Sequence, residues 1–183
     1  PDNIKHFRFN NQDMNTVGET IWKGKYGSVE RFEDATGETV LAVKKFKYKS
    51  EFLKEKDITV AVNDFLSIDE MDKYHIVPSY YSEGCQRIMM HMKDGDLNKL
   101  RTDGHNVDFK KIYQVVVIAM KELLEEQNVY YTDLKPANIL YNVTDQKMNI
   151  YLADLGGLVF QNNPKTQHGI FTFPYDKRSP VND

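Results

Sequence analysis

Cysteine is nearly absent from this chain: one, Cys85, among 183 residues. A single thiol excludes an intrachain disulfide framework and points to a reducing compartment. The five histidines, at positions 6, 75, 91, 105 and 168, are scattered, which leaves a His/Cys zinc site without support. Long apolar runs are missing too; the best, around Val115 to Met120, is far too short to span a bilayer. No signal-peptide pattern opens the chain, and neither internal repeats nor low-complexity tracts interrupt it. A formal net charge of −3 gives no bulk electrostatic pull on nucleic acid.

What is present reads as soluble and globular. Hydrophobic residues make up 40% and charged residues 28%, a balance that supports a real core rather than disorder. The length suits one domain, or two small lobes. The chain begins at Pro1 rather than Met and is read as trimmed.

The first 12 or so residues are polar and read as an irregular lead-in. Met14 to Trp22, Gly27 to Phe32 and Glu38 to Phe46 read as three strands, the last two joined by the turn Asp34-Ala35-Thr36-Gly37. From Ser50, a plausible N-cap, to about Ile68 the pattern turns helical, with Glu55, Ile58, Thr59, Val62 and Leu66 on one face. Asp69 to Tyr74 reads as a polar break. Two further strands are predicted over Ile76 to Tyr81 and Arg87 to Met92. After a loop at Lys93 to Asp96 and a short helix, Val107-Asp108 opens a long helix reaching about Glu126, with Phe109, Ile112, Val116, Ala119 and Leu123 as its buried stripe. Short strands near 139–142 and 149–152 flank the turn 144–147. The order predicts an α+β chain: a sheet lobe with one helix, then a mainly helical lobe, with the boundary near Lys93 to Gly95. A ligand site between lobes is the default expectation for such a layout.

The chemistry is concentrated in Tyr131-Thr132-Asp133-Leu134-Lys135-Pro136-Ala137-Asn138-Ile139-Leu140, followed by Ala153-Asp154-Leu155-Gly156. An Asp, a Lys, an Asn and a second Asp stand at spacings that suit phosphoryl transfer from a metal-bound nucleotide. That reaction needs a carboxylate to orient the attacking hydroxyl and oxygen ligands to hold Mg²⁺ against the phosphates. Asp133 can orient the hydroxyl, Lys135 can reach the moving phosphoryl group, and Asn138 and Asp154 can hold the metal.

These two segments resemble the catalytic and metal-binding loops of eukaryotic-like protein kinases, H-R-D-L-K-P-x-N-I-L and D-F-G. Tyr131 stands for the His, Thr132 for the Arg and Leu155 for the Phe. Upstream, Ile21-Trp22-Lys23-Gly24-Lys25-Tyr26-Gly27-Ser28-Val29 resembles the glycine-rich loop, with Trp22 in place of its first glycine. Leu41-Ala42-Val43-Lys44 resembles the V-A-I-K strand. The resemblance implies a bilobal fold with a five-stranded antiparallel sheet plus one helix over residues 1–93 and a shortened, mainly helical C-lobe over 94–183. It implies that Gly24 and Gly27 let backbone N–H groups approach the phosphates, and that Ile21, Val29, Ala42 and Leu140 line the adenine pocket. Lys44 takes the α and β phosphates, with Glu55 as its partner and Glu51, one turn earlier, as the rival. Met89 is the expected gatekeeper, and the backbone of Met90 to Met92 meets the adenine edge. His91 reads as a hinge surface residue and Cys85 as an inert turn residue.

The implied activity is an ATP- and Mg²⁺-dependent protein kinase, on the Ser/Thr side because of the Lys in Asp133-Leu134-Lys135-Pro136. A pseudokinase that regulates a partner, and a phosphotransferase acting on small molecules, are the rival readings. In the family, the Arg before the catalytic Asp pairs with a phosphorylated activation segment; Thr132 cannot, so activity independent of that phosphorylation is expected. Only 29 residues follow Asp154 (183 − 154). Gly169 to Asp176 resembles part of the segment that ends at A-P-E in full-size members, without its Glu. Two explanations stand: truncation, or a compact kinase of the kind found among viruses and bacterial effectors. In the second, a partner protein completes or activates the enzyme, and the setting is the cytoplasm, that of a host if the source is viral or an effector. The expected partners are a protein substrate and such an activator, with no nucleic acid and no membrane span.

Overall fold

A computed structural model describes residues 4–25, 27–103 and 106–161. They divide into two compact units, Pro1–Thr59 with Pro78–Met92, and Val60–Val77 with Lys93–Asp183.

The first unit is built on a six-stranded antiparallel sheet. Its strands are β1 (His6–Phe9), β2 (Gln12–Gly24), β3 (Gly27–Glu33), β4 (Val40–Phe46), β5 (Tyr80–Ser82) and β6 (Arg87–His91), in the order β1-β2-β3-β4-β6-β5. The sixth strand is one more than expected, and it comes from the segment read as irregular. Asn10 and Asn11, both at positive φ (48° and 63°), close a two-residue hairpin between Phe9 and Gln12, the conformation that asparagine tolerates best after glycine. The alternation of β1 then drives Phe7 and Phe9 into the core, where they join Met14, Phe32, Leu41, Val43 and Met89 on one face of the sheet. Helix α1 (Lys49–Phe65) begins in this unit, where Phe52 meets Phe46 edge to face. Ser50 lies inside its first turn rather than ahead of it.

The strand expected over 76–81 is only three residues long. Ile76 makes an isolated parallel bridge to Leu152 in the second unit, and Pro78, which has no N–H to give a ladder, separates it from β5. The supposed polar break is helix α2 (Ile68–Lys73). Ser67 Oγ accepts from the Glu70 N–H and the Glu70 carboxylate accepts from the Ser67 N–H, each at 3.1 Å, a complete capping box.

Among its other described residues the second unit has α3 (Leu97–Thr102), α4 (Phe109–Gln127), two single 3-10 turns (Pro136–Asn138 and Leu155–Gly157) and five short strands. Asp96 caps α3 and Asp108 caps α4; α4 ends on Asn128 in the left-handed conformation. Ile112, Val116, Ala119 and Leu123 form the buried stripe of α4, and Phe109 is half-buried. Strands β7 (Gly95–Asp96), β9 (Ile139–Thr144) and β10 (Lys147–Leu152) make one sheet, and β8 (Val129–Tyr131) pairs with β11 (Leu158–Phe160). Among the described residues this unit is thus less helical than the expected C-lobe. No helix among them is long and apolar enough to cross a membrane.

Candidate active site

Two ladders set the geometry of the charged loops in the second unit. Pairing of β8 with β11 puts Tyr131 opposite Leu158, and pairing of β9 with β10 puts Ile139 opposite Leu152. The segment 132–138 and the segment 153–157 are therefore fastened to each other at both ends. Cross-links fill the interval. The Ala153 N–H donates to the Asn138 carbonyl at 2.9 Å, and the Thr132 N–H and Oγ1 both donate to the Gly157 carbonyl at 2.7 Å. The Tyr131 hydroxyl donates to the Ala153 carbonyl. Burial, and then the carboxylates of Asp154 and Asp133, push the Tyr131 phenol far above its usual range, so it remains a donor.

Within this frame Asp133 is buried and aimed by Asn138. The Asn138 amide nitrogen donates to the Asp133 carbonyl (2.9 Å) and to its Oδ2 (2.7 Å), while Lys135 Nζ stands 3.8 Å from Oδ1. With its nitrogen so engaged, Asn138 has its carbonyl oxygen to offer a cation. Asp154 sits in the left-handed region (φ 63°, ψ 81°), and its Oδ1 accepts from the Gly156 N–H at 3.2 Å. A non-glycine residue in that region stores about 1–3 kcal/mol, the kind of strain that collects at functional sites. Gly157 is required by close approach: a Cβ there would lie 2.7 Å from the Asp133 Cβ. Leu155, in the place of the usual Phe, is buried. Leu140, on β9, is half-buried opposite Tyr151 and Asp96.

In the first unit Lys44 Nζ lies 2.9 and 3.1 Å from the two carboxylate oxygens of Glu55. The rival Glu51 instead stands 3.8 Å from Lys54. The register assigns the remaining residues to faces, because directly opposed residues in an antiparallel ladder share one. Trp22, Val29, Lys44 and Ile88 form one cross-strand row, and Ala42 and Met90 form another on the same face. Met89 does not join them. It stands opposite Val43 and faces the core with Phe7, Phe9 and Leu41. The gatekeeper expected at Met89 is therefore on the wrong side of the sheet, and Met90 is the methionine whose side chain shares a face with Ala42 and Lys44. The signal lies in strand parity, which puts Met90 rather than Met89 opposite Ala42. The Met92 N–H is committed to the Val40 carbonyl at 3.0 Å. Ile21 is exposed, at a register shift between Thr20 and Trp22. Gly27 is needed by the sheet itself, since a Cβ there would collide with the Lys45 carbonyl oxygen. A cavity lined in part by Lys5, Glu30, Lys45 and Arg87 touches none of the predicted site residues. The segment around Gly169 to Asp176 lies outside the described residues.

Among the described residues no three His, Cys, Asp or Glu side chains cluster at metal-holding distance. Mg²⁺ does not demand such a cage. It binds through one or two protein oxygens, with water and substrate phosphates completing the shell, and the Asn138 and Asp154 oxygens fit that sparse donor set.

The sheet unit holds a lysine–glutamate pair, and the second unit, taken by itself, holds an aimed aspartate with amide and carboxylate oxygens on two cross-linked loops; each is a part that phosphoryl transfer uses. The protein kinase domain family matches residues 15–177, and the chain belongs to that family. It is 29% identical over 151 residues to cyclin-dependent kinase 1 of Encephalitozoon cuniculi, covering 75% of this chain and 48% of that protein. It is 29% identical over 184 aligned residues to protein kinase wis1 of Schizosaccharomyces pombe, covering 96% and 29%. Among solved structures it is similar to the BubR1 kinase domain, with a TM-score of 0.58 at 18% identity over 87% of this chain and 51% of that one. A second kinase domain gives a TM-score of 0.60 at 19% identity, over 87% and 56%. The chain thus spans about half or less of the length of the curated relatives it matches.

Proposed function

We propose that this chain is an ATP-dependent serine/threonine protein kinase. The observation that carries the reading is the Asn138–Asp133 pair, in which one buried amide fixes both the backbone and the carboxylate of the aspartate. A carboxylate so fixed presents its remaining oxygen in one direction, as orientation of an attacking hydroxyl requires. Asp133 aligns the substrate hydroxyl and accepts its proton late in transfer. Lys135 offsets the charge of the migrating phosphoryl group. Lys44, held by Glu55, positions the α and β phosphates. Asn138 and Asp154 offer their oxygens to Mg²⁺, which when bound neutralises phosphate charge. Transfer to a protein rather than a metabolite follows from the resemblance of the Asp133-Leu134-Lys135-Pro136 run to the Ser/Thr branch.

The test is transfer of radiolabelled γ-phosphate to a generic protein acceptor with Mg²⁺ present. Asp133→Asn is expected to lower turnover by about a thousandfold or more. Near-normal transfer by that variant would remove Asp133 from the mechanism. One observation favours a second reading, a pseudokinase that regulates a partner: the Trp22 indole lies over Gly24, in the hairpin that resembles the glycine-rich loop. Under that reading the unmodified chain transfers no phosphate at any Mg²⁺ concentration.

A further inference from the structure

Trp22 is the chain's single tryptophan, and it is 52% exposed although it belongs to a strand. Its neighbours explain where the ring lies. Trp22 stands opposite Val29, and Val29 opposite Lys44, so all three project from one face. Gly24, two residues along β2, opens to that same face. A Cβ built on Gly24 would collide with Cη2 and Cζ2 of the indole and lie 3.2 Å from Cζ3. The ring therefore fills the volume directly over Gly24 that any other residue's side chain would occupy. The absence of a side chain at Gly24 does not leave open backbone here; it is what leaves room for the indole beside it.

We infer that Trp22 gates nucleotide access to the hairpin. The inference rests on the kinase reading, which puts the phosphates against the backbone at Gly24 and against Lys44. A nucleotide reaching Gly24 from the Lys44 face must first displace the indole. Only the fraction of molecules with the ring swung away is competent, and the apparent dissociation constant is raised by that fraction. Trp22 thus acts against binding, opposite to the effect of an aromatic residue that stacks on the base. Trp22 is already 52% exposed, so displacing it costs little further burial, and the gate weakens affinity without abolishing it.

The experiment measures Mg²⁺–ATP binding by calorimetry for the unmodified chain, Trp22→Ala and Gly24→Ala, with tryptophan emission recorded for the unmodified chain and Gly24→Ala. Trp22→Ala is expected to bind ATP about three- to tenfold more tightly. Gly24→Ala evicts the ring without ligand, so its emission should already be shifted before ATP is added, whereas the unmodified chain shifts only on titration. Equal or weaker binding by Trp22→Ala, with the unmodified chain still binding ATP, overturns the gate and leaves the kinase reading standing. Identical ligand-free emission from Gly24→Ala and the unmodified chain also overturns it. If neither the unmodified chain nor Trp22→Ala binds, the kinase reading falls and takes the gate with it.

Discussion

Thr132→Val isolates one atom of the frame that holds the two charged loops together. Thr132 is 7% exposed, and its N–H and hydroxyl both end on the Gly157 carbonyl at 2.7 Å. Valine keeps the branched shape and nearly the volume, and the backbone N–H bond survives. What disappears is a single hydroxyl donor to a buried carbonyl, worth about 1–1.5 kcal/mol. For a protein of this size that corresponds to a fall in melting temperature of about 3–5 °C. Gly157 closes the turn that begins at Asp154, so the loosened carbonyl frees the turn carrying the carboxylate proposed to hold Mg²⁺. If most of the lost energy is felt in the transition state, turnover falls about five- to tenfold while KM for ATP stays near its original value. Thr132→Ser retains the hydroxyl and should recover most of both losses. Thermal melts and steady-state kinetics on the three proteins decide the matter. Valine and threonine proteins that melt and turn over alike, or a serine variant as impaired as the valine one, would show that the hydroxyl does not hold the turn. The bond is neutral and needs no phosphate to form.

Gly157→Ala tests the same frame from the other side. Its Cβ would lie 2.7 Å from the Asp133 Cβ and 3.1 Å from the Asp133 nitrogen, so the aspartate must move, and turnover should drop about ten- to a hundredfold in single-turnover assays; unchanged turnover would mean that the position of Asp133 is not critical. Glu126 makes one pH-dependent contribution to stability. The Lys73 ammonium, followed by the Tyr74 hydroxyl, holds its carboxyl below the ordinary value of 4.5, so its stabilising effect is full above that value and is lost as pH falls through the lower folded-state value. Glu126→Gln should therefore melt at a lower temperature than the unmodified chain at pH 7, with the gap closing as the solution is acidified below the carboxylate's ordinary value; a gap that persists in acid would contradict the assignment.

Much of the fold could be read from residue patterns, and the misreadings have local causes. The stripe Ile112, Val116, Ala119 and Leu123 repeats at three and four residues, and it is the buried face of α4. The same spacing placed Ile58, Thr59, Val62 and Leu66 correctly in the core. Averaged over 12 residues, the N-terminal segment looks polar, which hides its strand. His6-Phe7-Arg8-Phe9 alternates with period two and is followed by two asparagines, which is a hairpin signal at finer scale. Charge hides helix α2 in the same way. Its Asp69, Glu70, Asp72 and Lys73 look like a charged loop, but Ser67 and Glu70 stand at capping-box spacing ahead of buried Met71.

The site shows where sequence order ceases to be enough. Asp133, Asn138 and Lys135 are close in sequence, so their local geometry follows from one turn, and their spacing already carried it. Lys44 and Glu55 are 11 residues apart on different elements. Their pairing could be anticipated because a carboxylate on the apolar face of a helix must find a cation. Met89 and Met90 differ in a way that no composition records. They are adjacent and chemically identical, and a strand sends neighbours to opposite faces. Which one looks toward Lys44 depends on the register of β6 against β4, and that register is set by pairing energetics along the whole ladder rather than by either methionine. The pairs Ala42 with Met90 and Val43 with Met89 therefore answer a question that motif matching poses but does not resolve. The same logic reaches Trp22: only its placement opposite Val29 turns an odd residue in a glycine-rich run into a ring lying on the face of Lys44.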